Sequence, residues 1–391
     1  MAIPNILFVH QSAEMYGSDK VLLYLVGGVQ SLGFHPIVLL PEDGPLLGAL
    51  RGVGVETHIV PVTKLDRKTL SVLGLFSLPL SLLKSVRSIS RLMKERRVDL
   101  VYSNTLAVLG SSVWARLHGI PHIWHVHEIL MSPKVVRKGF PLVLRLLADK
   151  VICNSTMTKE WLLAEQSALA AKTVVIWNGQ GQRPEVSADL ANTFRRSVGV
   201  GQDELLVALV GRINRWKGQP LLVSTAGLLW ERGVRNVHYV IVGGVAAGQE
   251  QLISDLESQI AVSPARDHIH VTPFTSDIWS VWDACDVAVV PSTEPEPFGM
   301  VAIEAMASRK PVVVAAHGGL LDIVKHGQSG LQFQPNDAER FADELQKLFT
   351  APAMRMQLGF AGWQRQQAVF SLDGQLRATV ELFRAMCSSK P

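Results

Sequence analysis

The sequence predicts an α/β fold in which two Rossmann-like, parallel-sheet domains face each other across a cleft. Three observations carry that expectation. The chain has 391 residues, 48% of them hydrophobic; this is more than one small core organises, so two domains of roughly 190 residues each are expected. Short apolar runs alternate with longer amphipathic stretches along the chain, the pattern of parallel strands covered by helices on both faces. The strand–helix rhythm restarts near residue 204, after a stretch from Gln180 to Asp203 rich in Gly, Gln, Ser and Pro. Domains are therefore expected at residues 1–180 and 181–370, with an amphipathic helix, Leu372 to Met386, inside a terminal segment 371–391.

Taken in order, the strands of the first half are Ile6–His10, Pro36–Leu40, Glu56–Val60, Leu100–Ser103, His122–Val126, Lys150–Cys153 and Val174–Trp177. Those of the second half are Leu205–Gly211, Val237–Val242, Ile269–Val271, Val287–Pro291, Pro311–Ala315 and Leu331–Phe333. Each is a short apolar run, as strands buried on both faces require. Helices such as Ser18–Leu32, Gln219–Glu231 and Asp337–Phe349 fall between them. No internal repeat of 20–50 residues is visible.

Composition narrows the setting. Three cysteines, Cys153, Cys285 and Cys387, are far apart and in no metal-like spacing, which fits free thiols in a reducing cytoplasm. The first strand begins almost at once without a basic leader, so no signal peptide is read. The apolar, uncharged run Thr69 to Leu83 is broken by Pro79 and falls short of the roughly 20 residues that span a bilayer. The net charge of +4 divides as +7 for residues 1–180 and −3 for the rest. The excess gathers in Lys64, Arg67, Lys68, Lys84, Arg87, Arg91, Lys94, Arg96 and Arg97, which flank or follow that apolar run. Such a segment suits an anionic membrane surface; it equally suits a solvated helix face over ordinary core. No aromatic interleaving or module supports nucleic-acid binding.

The most informative segment is Pro291-Ser-Thr-Glu-Pro-Glu-Pro-Phe-Gly-Met-Val-Ala-Ile-Glu-Ala-Met-Ala307. A strand leads into a Pro-rich loop, and a short helix begins near Phe298 and ends before Pro311. Glu296 then lies above the helix N-terminus and Glu304 about a turn and a half inside. One ligand could meet both carboxylates through its hydroxyls, while its anionic part meets the N–H groups of Phe298, Gly299 and Met300. A nucleotide sugar has that layout. Glu294 does not share the spacing. The segment resembles the Glu-x7-Glu signature of the retaining glycosyltransferase family 4, which has the GT-B fold. The resemblance implies that Glu304 holds the ribose hydroxyls, that Glu296 contacts the donor sugar, and that the terminal helix crosses back to the first domain.

Val207-Ala-Leu-Val-Gly-Arg212 followed by Asn214-Arg-Trp-Lys-Gly218 places two cations where they grip one diphosphate. It resembles the family's Gly-Arg…Lys-Gly element. Arg212 and Lys217 would then neutralise the leaving nucleoside diphosphate, so that no metal or other cofactor is required. Arg215 has no matching role. In the loop His270-Val-Thr-Pro-Phe-Thr-Ser-Asp277, which holds Phe274, the family cups the nucleobase through backbone groups. Trp279 and Trp282 are expected in the core, and His317 is read as turn chemistry.

In the first half, Met15-Tyr-Gly-Ser-Asp-Lys20 is no dinucleotide fingerprint. The family often has a Gly-Gly loop here against the donor phosphates; this chain keeps Gly17 and carries Tyr16 beside it. Ser18 or Asp19 also suits a plain N-cap. Trp124-His-Val-His-Glu128 closes a strand, with His125 and His127 on one side. By the family pattern His127 reaches the donor sugar; the role of His125 is left open.

The expected reaction is transfer of a hexose-type sugar, with retention, from a UDP- or GDP-sugar to a hydroxyl of a lipid-linked or surface-glycan acceptor. The expected setting is bacterial polysaccharide or lipopolysaccharide assembly, in the cytoplasm and peripheral at the inner face of the membrane. Two alternatives are a sugar-nucleotide 2-epimerase of the same architecture and a non-catalytic sugar-binding subunit.

Overall fold

The computed structural model describes residues 3–15, 17–64, 72–130 and 133–388, with side chains from residue 77 in the helix that starts at 72. Tyr16, Arg67 and Lys68 lie outside the described residues. The chain divides into two compact units, Met1–Gly179 with Leu372–Pro391, and Gln180–Ser371.

In the first unit, strands β1 (Asn5–His10), β2 (His35–Leu40), β3 (Glu56–Ile59), β4 (Leu100–Asn104), β5 (His122–Val126), β6 (Lys150–Cys153) and β7 (Thr173–Val175) form one sheet. Their order is β3-β2-β1-β4-β5-β6-β7, and every pairing is parallel. In the second, β8 (Leu205–Val210), β9 (Val237–Val242), β10 (Ile269–Thr272), β11 (Val287–Val290), β12 (Val312–Ala315) and β13 (Leu331–Phe333) take the parallel order β10-β9-β8-β11-β12-β13. Every expected strand is present. Most bounds shift by a residue or two, and at two of them proline, which cannot donate to a ladder, sets the limit: β11 stops before Pro291 and β12 starts after Pro311.

Both faces of each sheet are covered, which explains the continuous apolar runs. Along β1, Ile6 and Phe8 enter one core while Leu7 and Val9 enter another. Along β8, Leu206 and Ala208 are separated from Val207 and Leu209 in the same way.

The helices that matter for the sites are α1 (Gly17–Ser31), α2 (Val72–Leu92), α3 (Lys134–Leu147), α4 (Gln219–Glu231), α5 (Met300–Ala307), α6 (Pro352–Val369) and α7 (Leu372–Ser388). The last belongs to the first unit. Its Leu376, Val380 and Phe383 join the core of β1 and α1, where the Phe383 ring lies 5.7 Å from Tyr102 and 5.8 Å from Phe34. Gln375 Oε1 accepts from the Gly179 N–H at 2.8 Å, which pins the helix beside the point where the chain leaves this unit.

The sheet order reverses between β1 and β4 in one unit and between β8 and β11 in the other. At such switch points neighbouring loops leave in opposite directions and open a crevice beyond the strand C-termini. Both chemistry-bearing clusters lie there.

Candidate active site

In the second unit, β8 and β11 feed the loops 211–218 and 291–299. Asn214 Oδ1 accepts from the N–H groups of Trp216 at 3.1 Å and Lys217 at 2.9 Å, a side-chain turn that reverses the backbone. Gly218 follows at φ 81°, and a Cβ there would fall 1.9 Å from the Pro291 carbonyl oxygen; only glycine lets the two loops touch. The Thr293 N–H then donates to the Trp216 carbonyl at 2.7 Å.

This apposition sets Lys217 Nζ 2.8 Å from each carboxylate oxygen of Glu296. Ser292 Oγ donates to Glu296 Oε2 at 2.9 Å. Glu296 is only 6% exposed. A buried charge costs several kcal/mol unless it is paired and hydrogen-bonded, and Lys217 with Ser292 meets that requirement. Lys217 Nζ also lies 4.4 Å from the centre of the Trp216 ring.

His317 and the glycines after it hold the Glu296 loop from behind. His317 Nε2 lies 2.8 Å from the Ser292 carbonyl, which only accepts, so Nε2 carries the hydrogen. Burial lowers the pKa of this imidazole from its usual 6.5. Gly318, at φ 62°, has room for no Cβ, which would meet the Glu296 carbonyl oxygen at 2.2 Å. The Gly319 N–H donates to that carbonyl at 2.7 Å. His317 is thus an anchor for the loop, a part that its place in a turn did not reveal.

Helix α5 starts at Met300 with Gly299 as N-cap and no side-chain cap, so its first N–H groups point out of the helix end as anion donors do. Glu304 is buried within it. The Phe298 side chain packs in the core, 6.0 Å from the Phe370 ring, so only its backbone is placed to meet a ligand. Met300 is half-buried. Arg212 lies two residues past the end of β8 and is half-buried, whereas Arg215 is exposed. Gln219 Nε2 donates to the Arg212 carbonyl at 3.1 Å. Phe274 is exposed in the loop after β10, and Trp282 is fully buried. Gly243 and Gly244, which sequence reasoning passed over, tie these loops together: Ile213 N–H donates to the Gly244 carbonyl at 2.8 Å, and Gly243 N–H to the Thr272 carbonyl at 3.0 Å.

At the switch point of the first unit, the parallel register sets His10 beside Asn104 and Asn104 beside His125. His127 Nε2 lies 2.8 Å from Asn104 Oδ1, Asn104 Nδ2 lies 3.0 Å from His10 Nδ1, and His10 Nε2 lies 2.7 Å from Asp19 Oδ1. Ser12 Oγ donates to the same Asp19 oxygen. One set of hydrogens satisfies the whole chain. His127 Nε2–H donates to the amide oxygen, the amide nitrogen donates to His10 Nδ1, and His10 Nε2–H donates to the carboxylate. His127 is thereby fixed as the tautomer whose Nδ1 accepts. Burial, together with His125 and His10 nearby, holds its pKa well below 6.5.

His125 lies against His127, with ring centres 3.8 Å apart, and its Nδ1 is 2.6 Å from the Tyr102 hydroxyl. Burial lowers its pKa to about 3. Glu128 Oε2 accepts from the N–H groups of Leu106 and His127, both at 3.1 Å, yet burial dominates and raises its pKa to about 7. Between them Thr105 holds φ at 86°, an uncommon conformation for a β-branched residue. Gly17 is exposed at the start of α1. His10, Asp19 and Asn104 were not assigned a site role from the sequence; a His ending a strand and an Asn ending its neighbour were the available signal.

Among the described residues, no group of three or more His, Cys, Asp or Glu is arranged to hold a metal ion. No helix among them is long and apolar enough to cross a membrane. Two helices of the first unit nevertheless expose apolar side chains beside cations: Leu80 and Leu83 with Lys84 and Arg87 on α2, and Val135, Leu142 and Leu146 with Lys134 and Lys138 on α3. Three of the basic residues singled out above are ion-paired, Arg96 with Glu56, Arg97 with Asp99 and Lys64 with Glu42.

Two family models match the chain: Glycosyltransferase Family 4 over residues 15–179 and Glycosyl transferases group 1 over residues 191–365. The D-inositol 3-phosphate glycosyltransferase of Pseudarthrobacter chlorophenolicus is 27% identical over 349 residues, which is 81% of this chain and 79% of that protein. The enzyme of the same name from Actinosynnema mirum is 32% identical over 244 residues, 59% of this chain and 58% of that protein, so this match spans less than two thirds of the relative's length. Among solved structures, a glycosyltransferase of Rickettsia africae superposes with a TM-score of 0.85 at 20% identity, over 99% of this chain and all of that one. HepE of Anabaena, solved in complex with UDP-glucose, gives 0.83 at 23% identity, over 97% and 99% of the two chains. These likenesses show the fold, and with the two family models they lead to one assignment: the chain belongs to the group 1, family 4 glycosyltransferases of GT-B fold.

Proposed function

We propose that the protein transfers a hexose-type sugar from a nucleoside-diphosphate donor to an acceptor hydroxyl, with retention at the anomeric carbon and without a metal ion. The observation that carries this reading is the Lys217–Glu296 pair at 2.8 Å, largely withdrawn from solvent, formed where the loops after β8 and β11 meet. Donor binding offers each partner a new one. Lys217 and Arg212 turn to the diphosphate, Glu296 accepts hydroxyls of the sugar, and Glu304 accepts those of the ribose. Backbone N–H groups at Phe298–Met300 meet the phosphate charge, and Phe274 borders the base.

In the reaction the bond from the anomeric carbon to the phosphate oxygen breaks, and both electrons leave with the diphosphate. Charge on that oxygen is met by Arg212, Lys217 and the helix terminus, the term that usually lowers such barriers most. The acceptor hydroxyl adds to the same face and passes its proton to the departing phosphate oxygen. In the first unit we assign Gly17 to the donor phosphates and His127 to the sugar, where its accepting Nδ1 takes a hydroxyl hydrogen bond without bringing charge.

A UDP-sugar is the first donor to test, since HepE was solved with UDP-glucose; a GDP-sugar is the second. Hydrolysis and transfer are measured with a panel of both, with and without EDTA. Turnover that survives EDTA supports the Arg/Lys account, and a strict need for a divalent ion contradicts it. Epimerised nucleotide sugar from donor alone would replace transfer with a 2-epimerase.

For the acceptor we favour a lipid-linked or surface-glycan hydroxyl of bacterial polysaccharide or lipopolysaccharide assembly. The exposed leucines and cations of α2 and α3 support it, because such faces suit an anionic bilayer. Sedimentation with anionic vesicles that weakens as salt rises is the expected result. The relatives' name favours a second reading, a small phosphorylated polyol as acceptor, and absence of vesicle binding would turn the choice towards it.

A further inference from the structure

Opposite the donor end of α5, its C-terminus borders a recess of about 460 Å³ lined by Gln182, Arg183, Ala307, Ser308, Arg309, Trp363 and Gln367. That lies at the lower end of the range small-molecule sites occupy, roughly 300–1,000 Å³. Three features of the recess have no part in the donor site.

Arg309 ends α5 in the left-handed region, at φ 57°. Its N–H donates to Met306 O at 2.9 Å and the Lys310 N–H to Ala305 O at 3.1 Å, a helix stop at which glycine is the low-strain residue. The backbone is held there by α6, where Gly359 leaves no room for a Cβ beside the Arg309 carbonyl oxygen, 2.1 Å away. The Arg309 side chain is exposed, and its guanidinium lies 4.5 Å from the centre of the Trp363 ring. Among the described residues it has no carboxylate partner. Arg183, by contrast, is held by both carboxylate oxygens of Asp283, one at 2.8 Å. The recess therefore keeps one uncompensated cation.

Beside it Ser308 is 5% exposed, and among the described residues its Oγ has no hydrogen-bond partner. Buried hydroxyls are normally satisfied. Gln182 and Gln367 add exposed amides, which give and accept hydrogen bonds without charge.

We propose that this recess is a second ligand site, for a small hydroxylated anion: a saccharide unit bearing one acidic group. The Arg309 guanidinium, stacked on Trp363, presents its N–H edge to the acid. Ser308 and the two amides take the ring hydroxyls. An arginine kept where the backbone favours glycine is explained by what its side chain binds. The proposal is independent of the donor reading.

The probes are glucuronic acid and glucose 6-phosphate, with glucose and inorganic phosphate as controls, titrated by calorimetry into full-length protein held in excess UDP. Binding of one or both acidic sugars, at least tenfold tighter than either control, is expected. The carboxylate and phosphate arms separate an acidic glycan unit from a sugar phosphate. Arg309→Gly and Trp363→Ala should each weaken binding tenfold or more, while Arg309→Gly melts at or above the wild-type temperature because the turn is relieved. Three results would overturn the proposal: no binding of either acidic sugar, phosphate alone binding as well as they do, or an Arg309→Gly protein that melts lower and binds unchanged. The last would make the Arg309–Trp363 stack a packing contact alone.

Discussion

Lys217 and Glu296 are 79 positions apart and share two 2.8 Å contacts, so each compensates the other's charge. Lys217→Ala should lower turnover at saturating donor by about 100-fold, the scale of losing one donor to a developing oxyanion. Steady-state kinetics on protein whose melting curve confirms a folded state is the measurement; undiminished turnover excludes Lys217 from leaving-group stabilisation. On the proposed reading Glu304 acts in donor binding. Glu304→Ala should raise the donor dissociation constant about 10-fold to 100-fold, the worth of hydrogen bonds to a charged group, and calorimetry with UDP reads this directly. Glu296 and Glu304 were singled out in the sequence by a Pro-rich loop, a Phe-Gly step and a fixed spacing, and Lys217 by its place in the Gly-Arg…Lys-Gly element. Ser292, which donates to Glu296, and His317, which bonds the Ser292 carbonyl, were not, since a serine and a histidine in loops have no spacing rule that distinguishes an anchor from a turn.

At the level of elements, the strands were the most readable part of the chain. Buried parallel strands are continuous apolar runs, and Leu205–Val210 or Val237–Val242 admit little else. Helix α7 shows the limit. Its amphipathic pattern was visible, but nothing local told which core would receive it. Phe383 is fully buried among Phe8, Phe34 and Tyr102. Phe383→Ala should therefore destabilise the first unit by about 3–5 kcal/mol. Urea unfolding checks it; a loss below about 1 kcal/mol would mean the helix end is dispensable.

For the molecule as a whole, buried histidines set the response to acid. Burial lowers the pKa of His122 to about 4 and of His125 to about 3, and that of His127 falls well below 6.5. The unfolded chain binds protons at these groups from pH 6.5 downward while the folded chain does not, so stability falls as pH drops through this window. Glu128 acts in the opposite sense: its pKa, raised to about 7, removes stability as pH rises from 4.5 to 7. Between pH 6.5 and 4.5 the three histidines outweigh the one carboxyl. Unfolding free energy should decline there by about 1.4 kcal/mol per pH unit for each excess proton. His125→Gln should flatten that slope by one proton, and an unchanged slope would show that His125 is charged in the folded state. The sequence by itself determined the fold class and the strands of both sheets, and it singled out the spaced residues Arg212, Lys217, Glu296 and Glu304 as candidates, because periodicity and short-range spacing are written along the chain. Only the tertiary structure decided which distant residues meet. Strand order and parallel register set His10 beside Asn104, 94 positions on, and the adjoining loops of β8 and β11 close Lys217 on Glu296. Sheet order is settled by how helices and strands pack together, and no local pattern in the sequence encodes it.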